Sequence, residues 1–482
     1  MIIKNLLNKY KSIPVAAKAS LWFAVCSIVQ KGISLITIPL FTRLLTTEQY
    51  GEFSVYQSWY QIINVFATLN LSLGVFNNGM TKYPAERSKY MSAMQGLSTV
   101  VTTLLFCVYL PFKDFINEFT GLSTLLMITI FAECLMIPAL SFWTARQRYD
   151  FKYIALVVVT VGVAVLSPVL GLIAVNLTEE KGVARILSAA LVNVCVGLFF
   201  YVLNISRGKK IFVKEYWAFA LKFNIPLVPH YLSQIVLSHS NRIMIERMFG
   251  ETEVAIYSVA YSLSIIMNIV TNSINSSYIP WTYHKMKENN IAPLKKNTSL
   301  LLLGVAALSL LPVFLAPELM RIVAPPEYAQ GVWIIPPVST SVYFMFLYSL
   351  FGNIEFYYEK TKFVMIASTI SAVANIGLNL IFMPKFGYLT AGYVTLVCYI
   401  IYTLAHYTFM RKVCKEKLNI KSVYNDKLIV LITVVYLSCT ALAMSLYNLV
   451  IVRYVVLLIA FIIIAIKRKK LIEMTKILKI KD

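Results

Sequence analysis

The sequence predicts an all-α polytopic membrane protein of about fourteen transmembrane helices. Three observations predict it. The 482-residue chain is 59% hydrophobic and only 14% charged, against roughly 45–50% apolar and about 25% charged for a soluble domain. Apolar segments long enough to cross a bilayer recur from Leu21 to Ile466. Lysines and arginines gather in every second gap between those segments. Such a chain cannot bury its apolar surface in one water-soluble core, so a bilayer acts as its solvent.

Each element follows from the rule that a spanning helix needs about 20 mostly apolar residues. The first six are expected roughly at 20–41, 50–74, 90–111, 121–142, 153–176 and 183–205. The next four are expected roughly at 216–238, 253–280, 298–318 and 331–356. The last four are expected roughly at 362–383, 388–410, 428–448 and 450–467. No connection exceeds roughly 20 residues, so no soluble domain is expected between spans. The charged preface from Lys4 to Lys18 and the lack of a small-residue cleavage site after Val25 argue for a retained first helix rather than a signal peptide.

The net charge of +22 is segmented rather than laid along one face, which argues against nucleic acid as a partner. It orients the chain instead. Basic clusters stand before the first helix (Lys4, Lys9, Lys11, Lys18) and after the second (Lys82, Arg87, Lys89), fourth (Arg146, Arg148, Lys152) and sixth (Arg207, Lys209, Lys210, Lys214). Others follow the eighth (Lys285, Lys287, Lys295, Lys296) and twelfth (Arg411, Lys412, Lys415, Lys417, Lys421), and the tail carries Lys467 to Lys470 and Lys481. The alternate gaps hold Glu48, Glu52, Asp114, Glu118, Glu179, Glu180, Glu251, Glu253, Glu318 and Glu327 with few bases. Basic loops stay in the cytoplasm, so both termini are expected there. Six of the seven cysteines fall inside apolar spans and none forms a CxxC pair. Neither a disulfide framework nor a metal site is expected.

The chain repeats itself. Thr42–Val55 (TRLLTTEQYGEFSV) aligns with Glu246–Val259 (ERMFGETEVAIYSV) at an offset that spans six helices, which implies parallel repeats. The second helix sets Gln57, Gln61, Asn64 and Thr68 on one face. The eighth sets Tyr261, Asn268, Asn272 and Asn275 similarly, with Asn64 matching Asn268 and Thr68 matching Asn272. Polar groups have no partners in lipid, so these stripes face other helices or a wet central cavity. Ser368, Ser371, Asn375 and Asn379 form a further stripe on the eleventh helix, read as packing.

Full charges within spans are rare and mark function. Lys31 lies mid-helix in the first span, Lys222 near the start of the seventh and Glu133 within the fourth; Arg43 and Arg242 lie where the first and seventh spans emerge. Lys31 and Glu133 either pair with each other or serve separately, Lys31 as a cation for an anionic ligand and Glu133 in ion coupling. Pro226 and Pro229 bend the seventh helix just before His230, and His230 and His239 titrate in the physiological range when unperturbed.

Three segments carry a family resemblance. KASLWFAVCSIVQKGISLITIPLFTRLLTTEQYGEFSVYQSW (Lys18–Trp59), LGVFNNGMTKYPAERSKYMSAMQGL (Leu73–Leu97) and IPLVPHYLSQIVLSHSNRIMI (Ile225–Ile245) resemble the Wzx-like polysaccharide-biosynthesis flippases of the multidrug/oligosaccharidyl-lipid/polysaccharide (MOP) exporter superfamily. The family usually has an acid before the arginine of the last segment, where this chain has Asn241 before Arg242. The resemblance implies two six-helix bundles, over 1–205 and 206–425, around a central cavity. Two extra helices and a basic tail would follow over 426–482.

It further implies a non-enzymatic flippase of the bacterial inner (plasma) membrane. Its cargo would be an undecaprenyl-pyrophosphate-linked oligosaccharide, the repeat unit of a lipopolysaccharide O-antigen or a capsule. Alternating access would carry the cargo from the inner to the outer leaflet with no cofactor; sodium, protons and the membrane potential alone are left open as the driving force. Membrane lipids, a polysaccharide polymerase and a chain-length regulator are the expected partners. On that reading Lys31, Arg43, Lys222 and Arg242 meet the pyrophosphate. Gln57, Gln61, Asn64, Asn268 and Asn272 meet the sugars, and Glu133 and His230 take part in coupling.

A cation or drug antiporter of the same superfamily is the alternative. It would need an acidic interior, and Glu133 is the one deeply embedded acid this reading finds. A membrane polymerase is disfavoured by the lack of a large outer loop, an HExxH or a P-loop. A reporter fused at Glu179 is expected on the outer face of the membrane; finding it in the cytoplasm would overturn the topology.

Overall fold

The computed structural model describes residues 15–466. The basic stretch expected in the cytoplasm before Val15 and the tail lysines after Ile466 lie outside the described residues. Among the described residues the protein is helical throughout, with no strand. Contacts divide it into two compact units, Met1–Ile235 and Val236–Asp482.

The first unit holds α1 (Val15–Leu44), α2 (Thr47–Thr68), α3 (Gly74–Lys82), α4 (Arg87–Tyr109), α5 (Lys113–Thr120), α6 (Thr124–Tyr149), α7 (Tyr153–Val175), α8 (Lys181–Gly208) and α9 (Lys214–Asn224). α10 (Val228–Phe249) runs across the division. The second unit continues with α11 (Glu251–Ser264), α12 (Met267–Lys287), α13 (Ala292–Phe314), α14 (Ala316–Val323), α15 (Ile335–Tyr357), α16 (Thr361–Phe386), α17 (Thr390–Leu418), α18 (Asp426–Ser445) and α19 (Val450–Ile466).

Local chemistry sets the boundaries. Thr46 and Gln49 form a capping box at the start of α2, satisfying two amides that would otherwise lack partners. Ser123 caps α6 through the Leu126 amide. Pro226 and Pro229 break the seventh span as expected: α9 passes through a tight 3₁₀ turn at Ile225–Leu227 before α10 begins.

In the first unit α8 is the central element, with α6, α7, α4 and α2 packed around it and α1 laid on α7. Its fit depends on small residues. A Cβ on Gly197 would lie 2.6 Å from the Met136 carbonyl oxygen of α6, so only glycine permits this backbone approach. An aromatic and methionine cluster of Phe76, Met80, Tyr90, Met94, Phe142 and Tyr216 closes one end of the unit. In the second unit α15 packs most closely on α17, with α13 and α16 beside them. Its core is dominated by tyrosines, among them Tyr278, Tyr343, Tyr402, Tyr424 and Tyr436. The last helices are tied to that unit: the Tyr447 hydroxyl donates to the Val313 carbonyl at 2.8 Å, and Arg453 of α19 binds Glu318 of α14.

The repeat is visible in helix register. α11 begins 204 residues after α2, α13 begins 205 after α4, α16 begins 208 after α7 and α17 begins 209 after α8.

Ten helices among the described residues are long and apolar enough to span, or eleven if the bent pair 326–333 and 335–357 is one span. The expected number of about fourteen is not reached by apolarity alone, for a physical reason. α2 carries the polar stripe and the seventh span is split and bears Arg242, while the last helix is apolar but only 17 residues long. The first two trade hydrophobicity for polar faces.

Gly197→Ala is expected to destabilise the purified protein by about 1–3 kcal/mol. Gly162→Ala, where nothing lies within 4 Å, should be neutral or slightly stabilising. Thermal unfolding in detergent reads both.

Candidate functional site

Helix α1 positions Lys31. One face of α1 is fixed on α7: Gln30 Nε2 donates to the Thr160 carbonyl at 3.2 Å, Cys26 Sγ sits 3.0 Å from Thr160 Oγ1, and Trp22 stacks on Tyr153. Lys31 falls off that face and is exposed. It lies ten residues into a span that begins at Leu21, hence roughly 15 Å deep at 1.5 Å per residue, near the middle of a ~30 Å hydrocarbon layer. A bare ammonium there costs about 3 kcal/mol or more against lipid. Its position therefore demands water or a ligand.

Lys31 does not pair with Glu133. Glu133 is buried in α6 and accepts two neutral donors, the Tyr56 hydroxyl of α2 at 2.6 Å and the Asn193 amide of α8 at 2.8 Å. Of the two alternatives left open by the sequence, the pairing of Lys31 with Glu133 is absent from the structure. No cation faces the Glu133 carboxylate among the described residues.

The predicted stripes remain open. Gln57, Gln61 and Asn64 on α2 are half-buried, and their side-chain amides make no hydrogen bond among the described residues. The same holds for Asn268, at the break between α11 and α12, and for exposed Asn272. The ends of both stripes are closed: Thr68 donates to the Asn64 carbonyl at 2.8 Å, and Asn275 donates to Ser349 at 3.0 Å.

Other amides are consumed by packing. Asn241 of α10 donates to Thr395 Oγ1 at 2.8 Å, to Tyr257 at 2.8 Å and to the Ala391 carbonyl at 3.3 Å. It accepts from Asn379 at 2.8 Å, and Ser240 donates to Asn375 at 3.0 Å. Ser368, Ser371, Asn375 and Asn379 are fully buried, so the eleventh-span stripe packs as read from the sequence. Every member of this network is neutral.

Arg242 stands beside it. Its Nε donates to Ser258 at 2.9 Å, one terminal nitrogen donates to the Ser238 carbonyl at 2.9 Å, and the guanidinium lies 4.8 Å from the Tyr261 ring centre. It is 8% exposed and has no carboxylate among the described residues. Sequence spacing placed Arg242 where its span emerges; the structure instead lodges it among side chains. Arg43 does sit exposed near the end of α1, bonded to the Pro39 carbonyl at 2.8 Å. Lys222 is exposed on α9, and His230 is half-buried at the start of α10, beside Tyr231.

Four embedded charges escaped the sequence reading. Glu355 of α15 and His406 of α17 form a fully buried pair at 2.9 Å, which corrects the view of Glu133 as the one deeply embedded acid. Arg453 is 1% exposed and bound to Glu318. Arg185 of α8 lies over the Phe41 ring, 4.2 Å from its centre. Each of these partners lies at least 51 residues away in sequence, so local pattern offered no signal beyond a lone charge in or near a span.

The chain thus contains polar groups that close each helical unit and others, within expected spans, that bond to nothing among the described residues. The family described as polysaccharide biosynthesis protein matches residues 16–286. The chain belongs to that family. The Lsg locus putative protein 1 of Haemophilus influenzae is 24% identical over 374 residues, covering 74% of this chain and 88% of that protein.

Among solved structures, the lipid II flippase MurJ in its inward closed conformation superposes with a TM-score of 0.67 at 13% identity, covering 94% of this chain and 100% of that one. An inward-facing multidrug resistance MATE family transporter of the MOP superfamily gives 0.61 at 14% identity, covering 83% and 99%. The chain shares the fold of these transporters, and it is a multi-pass membrane protein of the polysaccharide biosynthesis family.

Removing one partner of the Glu355–His406 pair strands the other in an apolar core. Glu355→Ala is expected to cost about 3–5 kcal/mol, and the double change Glu355→Met with His406→Leu distinctly less. Unfolding midpoints of purified variants decide this.

Proposed function

We propose that this protein is a flippase that carries an undecaprenyl-pyrophosphate-linked oligosaccharide, an O-antigen or capsule repeat unit, from the inner to the outer leaflet of a bacterial plasma membrane. One observation carries the reading. Lys31 stands unpaired and exposed at mid-membrane depth, while unbonded amides stand on α2 and α12. A pyrophosphate cannot cross hydrocarbon bare, because desolvating its charges is prohibitive. A fixed ammonium offers a point charge to it and a guanidinium such as Arg242 offers a two-pronged donor. Gln57, Gln61, Asn64, Asn268 and Asn272 supply donors and acceptors for sugar hydroxyls in the same wet environment. The prenyl chain stays in lipid throughout.

Family membership supports the polysaccharide pathway, and the fold shared with a lipid II flippase supports a prenyl-linked cargo. Access would alternate between the two sides of the membrane, with both termini cytoplasmic as the basic loops require. An inward sodium or proton gradient is the proposed energy source. Glu133, whose charge meets only neutral donors, and His230 are the proposed coupling groups. A polymerase and a chain-length regulator would act on the flipped product.

The test is deletion followed by identification of the lipid-linked sugar that accumulates on the inner leaflet. Lys31→Ala and Arg242→Ala, each removing a charged hydrogen-bonding group worth about 1.5–3 kcal/mol, should cut export roughly ten- to hundredfold at normal protein levels. Unchanged surface polysaccharide in both variants would sink the assignment.

A further inference from the structure

We propose a phosphate-binding site at the end of the first unit where the α3–α4, α6–α7 and α8–α9 connections meet, suited to the phosphodiester or pyrophosphate of a membrane lipid. A cavity of about 380 Å³ opens there, lined by Arg87, Lys89, Arg146 and Arg207 against Glu86 and Asp150. Four bases face two acids, so the cavity carries an excess of two positive charges. Basic loops need only carry charge somewhere to orient a membrane protein. Here guanidiniums from three separate helices converge on one space and two of them are held in place.

Arg146 donates to Ser88 Oγ at 2.8 Å. Arg87 donates to the Met80 carbonyl at 3.2 Å and lies 4.5 Å from the Tyr149 ring centre. Asp150 is shared between Arg87 and Arg146 at 3.6 Å from each, too far for a strong hydrogen bond. One carboxylate thus serves two guanidiniums loosely. Arg207 is exposed and has no carboxylate among the described residues. Lys89 is matched by Glu86 at 2.9 Å. Hydrogen bonds from Tyr216 and then Lys89 hold the Glu86 carboxyl below its ordinary range, so it stays ionised and consumes only its own lysine.

The backbone adds to this. Helix α4 starts at Arg87 with no side-chain cap from Glu86, and the first amides of a helix lack intrahelical partners. Arg87, Ser88 and Lys89 line the cavity, so those amides and the positive end of the helix dipole lie at it, an arrangement that favours phosphate. Gly208 also lines it, and a Cβ there would fall 2.3 Å from the Ser88 carbonyl oxygen and 2.2 Å from Ser92 Cβ. Only glycine lets the end of α8 press on the first turns of α4 and bring Arg207 alongside. Beneath that contact Ser92 is fully buried with its hydroxyl unpartnered, 3.0 Å from the place a Gly208 Cβ would take. On the orientation the basic loops imply, this end faces the cytoplasm. The site does not rest on the cargo proposed above, because its readout is binding and not export.

The experiment uses the full chain in nanodiscs of phosphatidylcholine, with two probes: inorganic pyrophosphate followed by calorimetry, and added phosphatidylglycerol followed by native mass spectrometry. Saturable binding of either probe, weakened at least about tenfold in Arg146→Gln with Arg207→Gln and strongly reduced by high salt, is the expected result. Binding of phosphatidylglycerol alone assigns the site to bulk anionic lipid. Binding of pyrophosphate assigns it to a pyrophosphate headgroup. The single variant Arg207→Gln, at an exposed side chain, keeps the test open if the double variant does not fold. If neither probe binds the unaltered protein, or if both bind the foldable variants with unchanged strength, the site does not exist.

Discussion

Hydrocarbon offers no hydrogen-bond partner, and that constraint sorts the side-chain amides and charges of this protein. A group at membrane depth either finds a partner within its own helical unit or must meet water or a ligand. The structure displays both outcomes in residues of the same type. Asn193, Asn204 and Asn241 spend their amides on neighbouring helices. Gln57, Gln61, Asn64 and Asn272 spend theirs on nothing among the described residues. The first class builds the units; the second is open to water or to a ligand.

The closed groups show how each unit is held as one body. Glu133 links α6 to α2 and α8. The Asn241 network links α10 to α11, α16 and α17. Glu355 and His406 fasten α15 to α17. Without a hydrophobic driving force between helices in lipid, such bonds and close backbone packing are what association rests on. Gly197 against Met136 is the packing counterpart of those bonds. Bonds of this kind tie the helices of each unit to one another.

Much of this was legible in the sequence, and the limits follow from geometry. Helix positions came from apolar length, and the break at Pro226 and Pro229 came from the chemistry of proline. The stripe on α2 was legible because i, i+4 spacing alone puts Gln57, Gln61 and Asn64 on one face. The eleventh-span serines and asparagines were read as packing, and they pack. Long-range pairs were not legible. Glu355 lies close to the end of α15, where an acid reads as interfacial, and only the arrival of α17 buries it with His406. Arg453 falls inside the last expected span and Glu318 at the end of the ninth, and no local spacing pairs them. The relation of Lys31 to Glu133 needed the rotation of two helices about their axes, which no local spacing fixes.

The distribution of these pairs bears on the sign of the cargo. Counting embedded charges alone leaves acids and bases nearly balanced, since Glu355 and Glu318 join Glu133. Their engagement is not balanced. Glu355 is answered by His406, Glu318 by Arg453, and Glu133 by two donors that fill both carboxylate oxygens. Among the described residues Lys31 is answered by nothing, and Arg242 meets a hydroxyl, a carbonyl and aromatic faces but no carboxylate. A cation carrier would show the opposite bias, with carboxylates open and bases paired. Closed acids beside an open Lys31 are what the proposed carriage of an anionic headgroup calls for.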